Sequence, residues 1–114
     1  MAEHLNILEN TSYSFESVKK VSNFQGGDIT ADTYYFKPSQ ILAYHRHPQG
    51  DQIFFVLKGS GRFHLDNGTE RIIDVKPGST VYVPAGTWHQ LANGNEEMVA
   101  SQVTKAGAGM ESRS

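Results

Sequence analysis

Gly78-Ser79-Thr80-Val81-Tyr82-Val83-Pro84-Ala85-Gly86-Thr87-Trp88-His89-Gln90-Leu91-Ala92-Asn93 reads as a strand, a tight turn and a second strand. Thr80–Val83 is β-branched and aromatic, the composition that fits a pleated, half-buried surface. Pro84 presets its own backbone angle, and Gly86 tolerates the positive φ that a tight turn demands. Trp88–Ala92 resumes the extended pattern until Asn93-Gly94-Asn95 ends it. The stretch delivers an imidazole, His89, onto a strand just beyond a rigid turn.

Outward from it the same alternation repeats. Upstream lie Ile29–Phe36, Ile41–His47, Gln52–Leu57, Arg62–Leu65 and Glu70–Val75, and downstream Glu97–Thr104. Between them stand Lys37-Pro38-Ser39, Pro48-Gln49-Gly50, Lys58-Gly59-Ser60-Gly61, Asp66-Asn67-Gly68 and Lys76-Pro77-Gly78, all rich in turn residues. Short strands at this spacing predict an all-β sandwich or barrel. No segment keeps a helical period over three turns. Residues 28–105 are expected to form the barrel. Residues 1–27 are expected to supply a strand or an irregular cover through Phe15, Val18, Val21 and Phe24. Residues 106–114, rich in Gly, Ala and Ser, are expected to be a flexible tail.

A chain of 114 residues suits one domain. With 10 basic and 12 acidic residues and no basic run, nothing favours nucleic acid. No apolar stretch is long enough for a membrane span. Residues 1–15 lack the basic start and apolar stretch of a signal peptide, so the default expectation is cytoplasmic. Cysteine is absent, so any metal site must use histidine, carboxylate, amide or water.

The five histidines are His4, His45, His47, His64 and His89. His45 and His47 are two apart on a predicted strand, and such side chains share a face. Together with His89 they would place three imidazoles around one point, a set that suits Zn, Fe, Ni, Co, Mn or Cu. His64 alternates with Phe63 and Leu65; if those two face the core, it faces away. By the same parity Arg46, between the two ligands, should point out of the barrel.

His45-Arg46-His47-Pro48, continuing through Gln52 to Val56-Leu57-Lys58-Gly59, resembles the first sequence motif of the cupins. Gly78 to Asn93 resembles the second, with its Gly, Pro, Gly, His and Asn in place. The resemblance covers residues 30–104. It implies a double-stranded β-helix, or jelly-roll barrel, of the small single-domain RmlC-like kind. It further implies one divalent transition metal ion, a small-molecule ligand or substrate, and a homodimer. Two positions depart from the pattern. Ser39 stands where the family has a glycine. Gln52, four residues after His47 and seven before Gly59, stands where the family has a glutamate ligand. Asp51 fits only a shorter variant of that spacing. The two neighbours cannot both face inward without a bulge. The resulting metal set is His45, His47, Gln52 and His89, with water as the alternative to Gln52. A set with no carboxylate leaves the ion its full charge, which favours anionic ligands.

For the pocket around the metal, parity points to Phe36 and Phe54, and Tyr82 offers a hydroxyl. The resemblance implies a metal-dependent isomerase, cyclase or lyase that polarises a small oxygen-rich metabolite. Ser101–Thr104, however, has neither the Asp nor the Arg expected of the uronate-linearising type. A dioxygenase using Fe, Ni, Mn or Cu and a non-catalytic metabolite-binding or sensor module are the alternatives.

Overall fold

A computed structural model describes residues 2–113. Ten strands follow in order: β1 Lys19–Gln25, β2 Ile29–Phe36, β3 Ile41–Arg46, β4 Gln52–Lys58, β5 Gly61–Asp66, β6 Glu70–Val75, β7 Thr80–Val83, β8 Trp88–Asn93, β9 Met98–Lys105 and β10 Glu111–Ser112. They form two five-stranded sheets, ordered β1-β2-β9-β4-β7 and β10-β3-β8-β5-β6, with antiparallel pairing throughout. There is no helix among the described residues, and so none long and apolar enough to cross a membrane. The fold is all-β, a double-stranded β-helix.

The inner faces interdigitate because the strands alternate cleanly. On β4 Gln52, Phe54 and Val56 are buried while Ile53 and Phe55 are exposed. On β5 Phe63 and Leu65 point in, and on β7 Val81 and Val83 do. Phe36, Leu91, Met98 and Ala100 complete the centre of the core. Each large apolar side chain sequestered here contributes about 1.5–3 kcal/mol. His64 and Arg46 face away from the core, as the alternation predicts. His64 sits beside Tyr44, ring centroids 6.1 Å apart, and the Arg46 guanidinium lies 4.4 Å over the Trp88 ring, outside the barrel.

β2 breaks the alternation, for residues Asp32 to Phe36 are all buried. Its outer face is covered by the N-terminal segment. The Tyr35 hydroxyl donates to the Ile7 carbonyl at 3.1 Å, and the Tyr13 ring meets Tyr35 edge-on at 5.6 Å. β1 adds an edge strand and Val18 packs on the core. The segment read as a flexible tail also carries structure. β10 pairs with β3, Ala108 is buried, and Gln49 N–H donates to the Ala108 carbonyl at 2.9 Å. Small residues mark mobility only where nothing touches them; here Gly50 lets the tail come close, since a Cβ there would lie 2.5 Å from the Ala108 Cβ.

Two turns set up the site. Ser39 occupies the left-handed region at φ 66°. That conformation costs a non-glycine residue about 1–2 kcal/mol, which accounts for glycine in the family's pattern there. Gly86, at φ 80°, closes the turn after Pro84, and its N–H donates to the His47 carbonyl at 2.9 Å. The turn that delivers His89 is thereby tied to the end of the strand that delivers His45 and His47.

Candidate metal centre

A β-bulge aims the first histidine. Leu42 pairs with Leu91 and His45 with His89, so β3 spends three residues where β8 spends two. The extra residue reverses the parity of β3. Leu42 can then pack on the core while His45, three positions later, also faces inward opposite His89. His47 follows just beyond β3. The ring centroids lie 4.2 Å apart for His45 and His89, 5.2 Å for His45 and His47, and 5.6 Å for His47 and His89. One ring nitrogen from each can be chosen so that all three lie within 4.8 Å of one another.

The hydrogen bonds determine which nitrogen that is. His45 Nδ1 lies 2.8 Å from the Ala43 carbonyl, His47 Nδ1 2.7 Å from the Gly109 carbonyl, and His89 Nδ1 3.0 Å from the Thr87 carbonyl. A carbonyl only accepts, so each Nδ1 carries the proton and each Nε2 keeps a free lone pair. The Nε2 atoms of His47 and His89 are buried with no partner among the described residues, and so is Gln52 Oε1. Gln52 Nε2 donates to Gln102 Oε1 at 2.6 Å and to Thr104 Oγ1 at 2.9 Å, which turns the amide oxygen away from both. Buried acceptors without donors are costly. A cation accepts all of these lone pairs at once, and a neutral N/O donor set suits a divalent transition metal. The residues therefore fit the ion.

Electrostatics agree. Burial, reinforced by the neighbouring imidazoles, pushes His89 down to about 3 despite its bond to Thr87. Burial also lowers His45, with His47 and Lys20 adding to the effect and the Ala43 bond opposing it. Both are neutral imidazoles at neutral pH, the form that can bind a metal. Their folded values lie below the unfolded value of 6.5, so the unfolded chain binds more protons across the interval between. Metal-free protein is expected to have this stability in full above about pH 6.5 and to lose it progressively toward about pH 3. Denaturant melts of chelator-treated protein check this, and a midpoint independent of pH would contradict buried, neutral imidazoles.

Phe54 and Phe63 wall the site. Phe54 lies 5.7 Å from the His89 ring, and Phe63 stacks on it at 6.1 Å with 5° between planes. Beside it opens a cavity of about 660 Å³, lined by Asp32, Tyr34, His45, His47, Gln102 and Thr104 among others. His89 and Gln52, each 1% exposed, do not line it. Of the three residues expected around the metal, Phe54 packs on His89 and Phe36 lies in the core beside Tyr34. Tyr82 is 57% exposed on the outer face, opposite Ile53, because its neighbours Val81 and Val83 take the inner positions. Asp51 is exposed, and its carboxylate accepts from the Ala85 N–H at 2.9 Å, holding the Pro84–Gly86 turn. Asp32, Gln102, Thr104 and the Gly109 carbonyl also belong to the site, beyond the residues expected from the sequence. The signal for Gln102 and Thr104 was available, since both are polar residues at the inward positions of an otherwise apolar alternation in β9.

Two antiparallel sheets rolled into a double-stranded β-helix, with three imidazoles locked in one tautomer inside, define a class of barrel with a His₃ donor set. The family model of the Cupin domain matches residues 33–103, and the chain belongs to the cupin family. A stretch of 49 residues is 37% identical to an uncharacterised protein of Methanocaldococcus jannaschii; it spans 43% of this chain and 37% of that relative. Two solved structures share the fold. A Klebsiella pneumoniae protein with a double-stranded β-helix domain has a TM-score of 0.88 at 22% identity, covering 97% of this chain and 96% of that one. An RmlC-like cupin from Desulfovibrio desulfuricans has a TM-score of 0.83 at 21% identity, covering 92% and 97% respectively.

Proposed function

We propose that the chain is a metal-dependent enzyme of the isomerase, cyclase or lyase type, holding one divalent transition metal through His45, His47, His89 and Gln52 Oε1. The observation that carries this reading is the set of three Nδ1–H groups committed to backbone carbonyls, with the Nε2 lone pairs of His47 and His89 and the Gln52 amide oxygen buried without donors. When bound, the ion supplies Lewis acidity toward a carbonyl or carboxylate oxygen. The chain's own part is to hold four neutral donors so that this charge is not compensated, and to present the cavity as the approach for a small oxygen-rich molecule. Phe54 and Phe63 keep bulk water from the inner side of the imidazoles.

Elemental analysis of protein purified without a His tag or chelator tests the reading. About one metal per chain is expected. No metal, and none taken up on titration, would leave a ligand-binding barrel instead. Iron, copper or nickel in that analysis would direct substrate screening toward oxygen chemistry.

Gln52→Glu is expected to keep the metal but change its preference across Mn, Fe, Ni and Zn. The new carboxylate faces Gln102 Oε1 in place of a 2.6 Å hydrogen bond, at a cost of about 1–3 kcal/mol in the metal-free protein. Identical affinities for all four metals would place Gln52 outside the coordination shell.

A further inference from the structure

Asp32 lies on β2, 7% exposed, and lines the same cavity as His45 and His47. Among the described residues its carboxylate accepts one side-chain hydrogen bond, from Gln102 Nε2 at 3.2 Å, and has no cation within ion-pair distance. Sequestering a carboxylate on such terms is expensive. Packing does not require it, since a neutral amide would satisfy Gln102 equally well. An ionisable side chain lining the same cavity as a metal-ligand set is placed for proton transfer there.

The carboxylate is also oriented relative to the metal ligands. Gln52 Nε2 donates to Gln102 Oε1 at 2.6 Å, which fixes the Gln102 amide. Gln102 Nε2 then points to Asp32, and at 3.4 Å to the Tyr34 hydroxyl. Burial, with Asp32 adding to it, pushes Tyr34 up to about 12, so that hydroxyl stays protonated. Lys20 and Lys105 are cations on the cavity wall, and Arg113, also there, is tied to Asp66 at 2.8 Å. The chemistry therefore admits an anion. A carboxylate beside a carbonyl offers two oxygen donors and the negative charge that a neutral ligand set leaves wanting. The same polarised carbonyl acidifies the neighbouring C–H.

We propose that Asp32 is the proton acceptor for a small 2-oxo acid bound in this cavity, a proposal that rests on the metal-centre reading above. The C–H bond next to the carbonyl breaks, its proton passes to the Asp32 carboxylate, and its electron pair moves toward the carbonyl oxygen. Return of the proton to the same face of that carbon gives exchange, and return to its opposite face completes an epimerisation; neither consumes an oxidant or reductant. Gln102 is the positioning residue between Gln52 and Asp32.

Pyruvate is the probe. Zinc-loaded protein is expected to exchange pyruvate methyl protons for deuterium in D₂O, followed by proton NMR, faster than free zinc or chelator-treated protein. Asp32→Asn should lower the rate at saturating pyruvate by about 10²–10⁴-fold, the usual contribution of a positioned base. Its zinc content and its pyruvate affinity by calorimetry should stay unchanged, a split that a merely structural role would not give. Asp32→Glu, which keeps a carboxylate, should retain part of the exchange. Exchange by Asp32→Asn at the wild-type rate, or none by zinc-loaded wild type, overturns the proposal and leaves the metal centre standing. Loss of zinc together with pyruvate affinity in Asp32→Asn overturns it too, by making Asp32 structural. Wild-type protein that takes up no zinc or other divalent transition metal sinks both readings.

Discussion

His89→Ala is expected to abolish stoichiometric metal binding. His89 is the most confined of the three imidazoles, 1% exposed, opposite His45 across the ladder and stacked on Phe63. Its Nδ1 is held by the Thr87 carbonyl, so Nε2 has one direction in which to point. Removing even a residue that only orients a metal ligand typically lowers affinity 10–100-fold. Removing the ligand itself should exceed about 100-fold, read as loss of metal after gel filtration and as a vanished titration isotherm. The barrel should survive, because the apolar core residues, Leu91 on the same strand included, are all retained and the change removes a buried polar group. Metal-free His89→Ala should also lose much of the pH dependence of stability expected of the wild type, since the most strongly shifted histidine is gone. Full metal content in this variant would misplace the centre.

Deleting residues 106–114 is expected to weaken metal binding about 10–100-fold while leaving the barrel folded. The reason is the Gly109 carbonyl, which accepts from His47 Nδ1 at 2.7 Å and fixes both the tautomer and the tilt of that ring. His47 stands beyond the end of β3, so no ladder holds its side chain in place. The tail makes other contacts, buried Ala108 with its bond from Gln49 and the Arg113–Asp66 ion pair at 2.8 Å, which add to stability but lie outside the apolar core. Its ladder is two residues long, and the Arg46–Glu111 ion pair at 2.6 Å is partly exposed, a kind worth about 0–1 kcal/mol. Gly50→Ala offers the same test without shortening the chain, because the added methyl would displace Ala108. Calorimetric titration of both variants checks the expectation; wild-type affinity in both would show that the ring needs no help from the tail.

Much of this arrangement is legible residue by residue. β2 and β6 begin and end where turn residues and alternation place them, at Ile29–Phe36 and Glu70–Val75. The choice between Asp51 and Gln52 follows from alternation as well, since β4 buries Gln52, Phe54 and Val56 on one face. Other features are invisible one residue at a time. The bulge between Leu42 and His45 depends on a comparison with β8. The outward turn of Tyr82 depends on which face of β7 the core selects, and both faces carry apolar residues. The burial of the outer face of β2 comes from a segment 25 to 28 residues upstream of Tyr35.

By itself the sequence determined the all-β class, the strand order along the chain, and the identity of the three imidazoles. Those depend on local periods and on fixed spacings around Pro84, Gly86 and Gly59. Tertiary structure alone decided which nitrogen of each imidazole is free, which way the Gln52 amide faces, and that Asp32 shares the cavity. Each of these is set by partners far off along the chain: Gly109 for His47, Gln102 and Thr104 for Gln52, and Gln102 for Asp32. Hydrogen bonds to distant backbone and to a neighbouring strand leave no periodic trace in the residues they join.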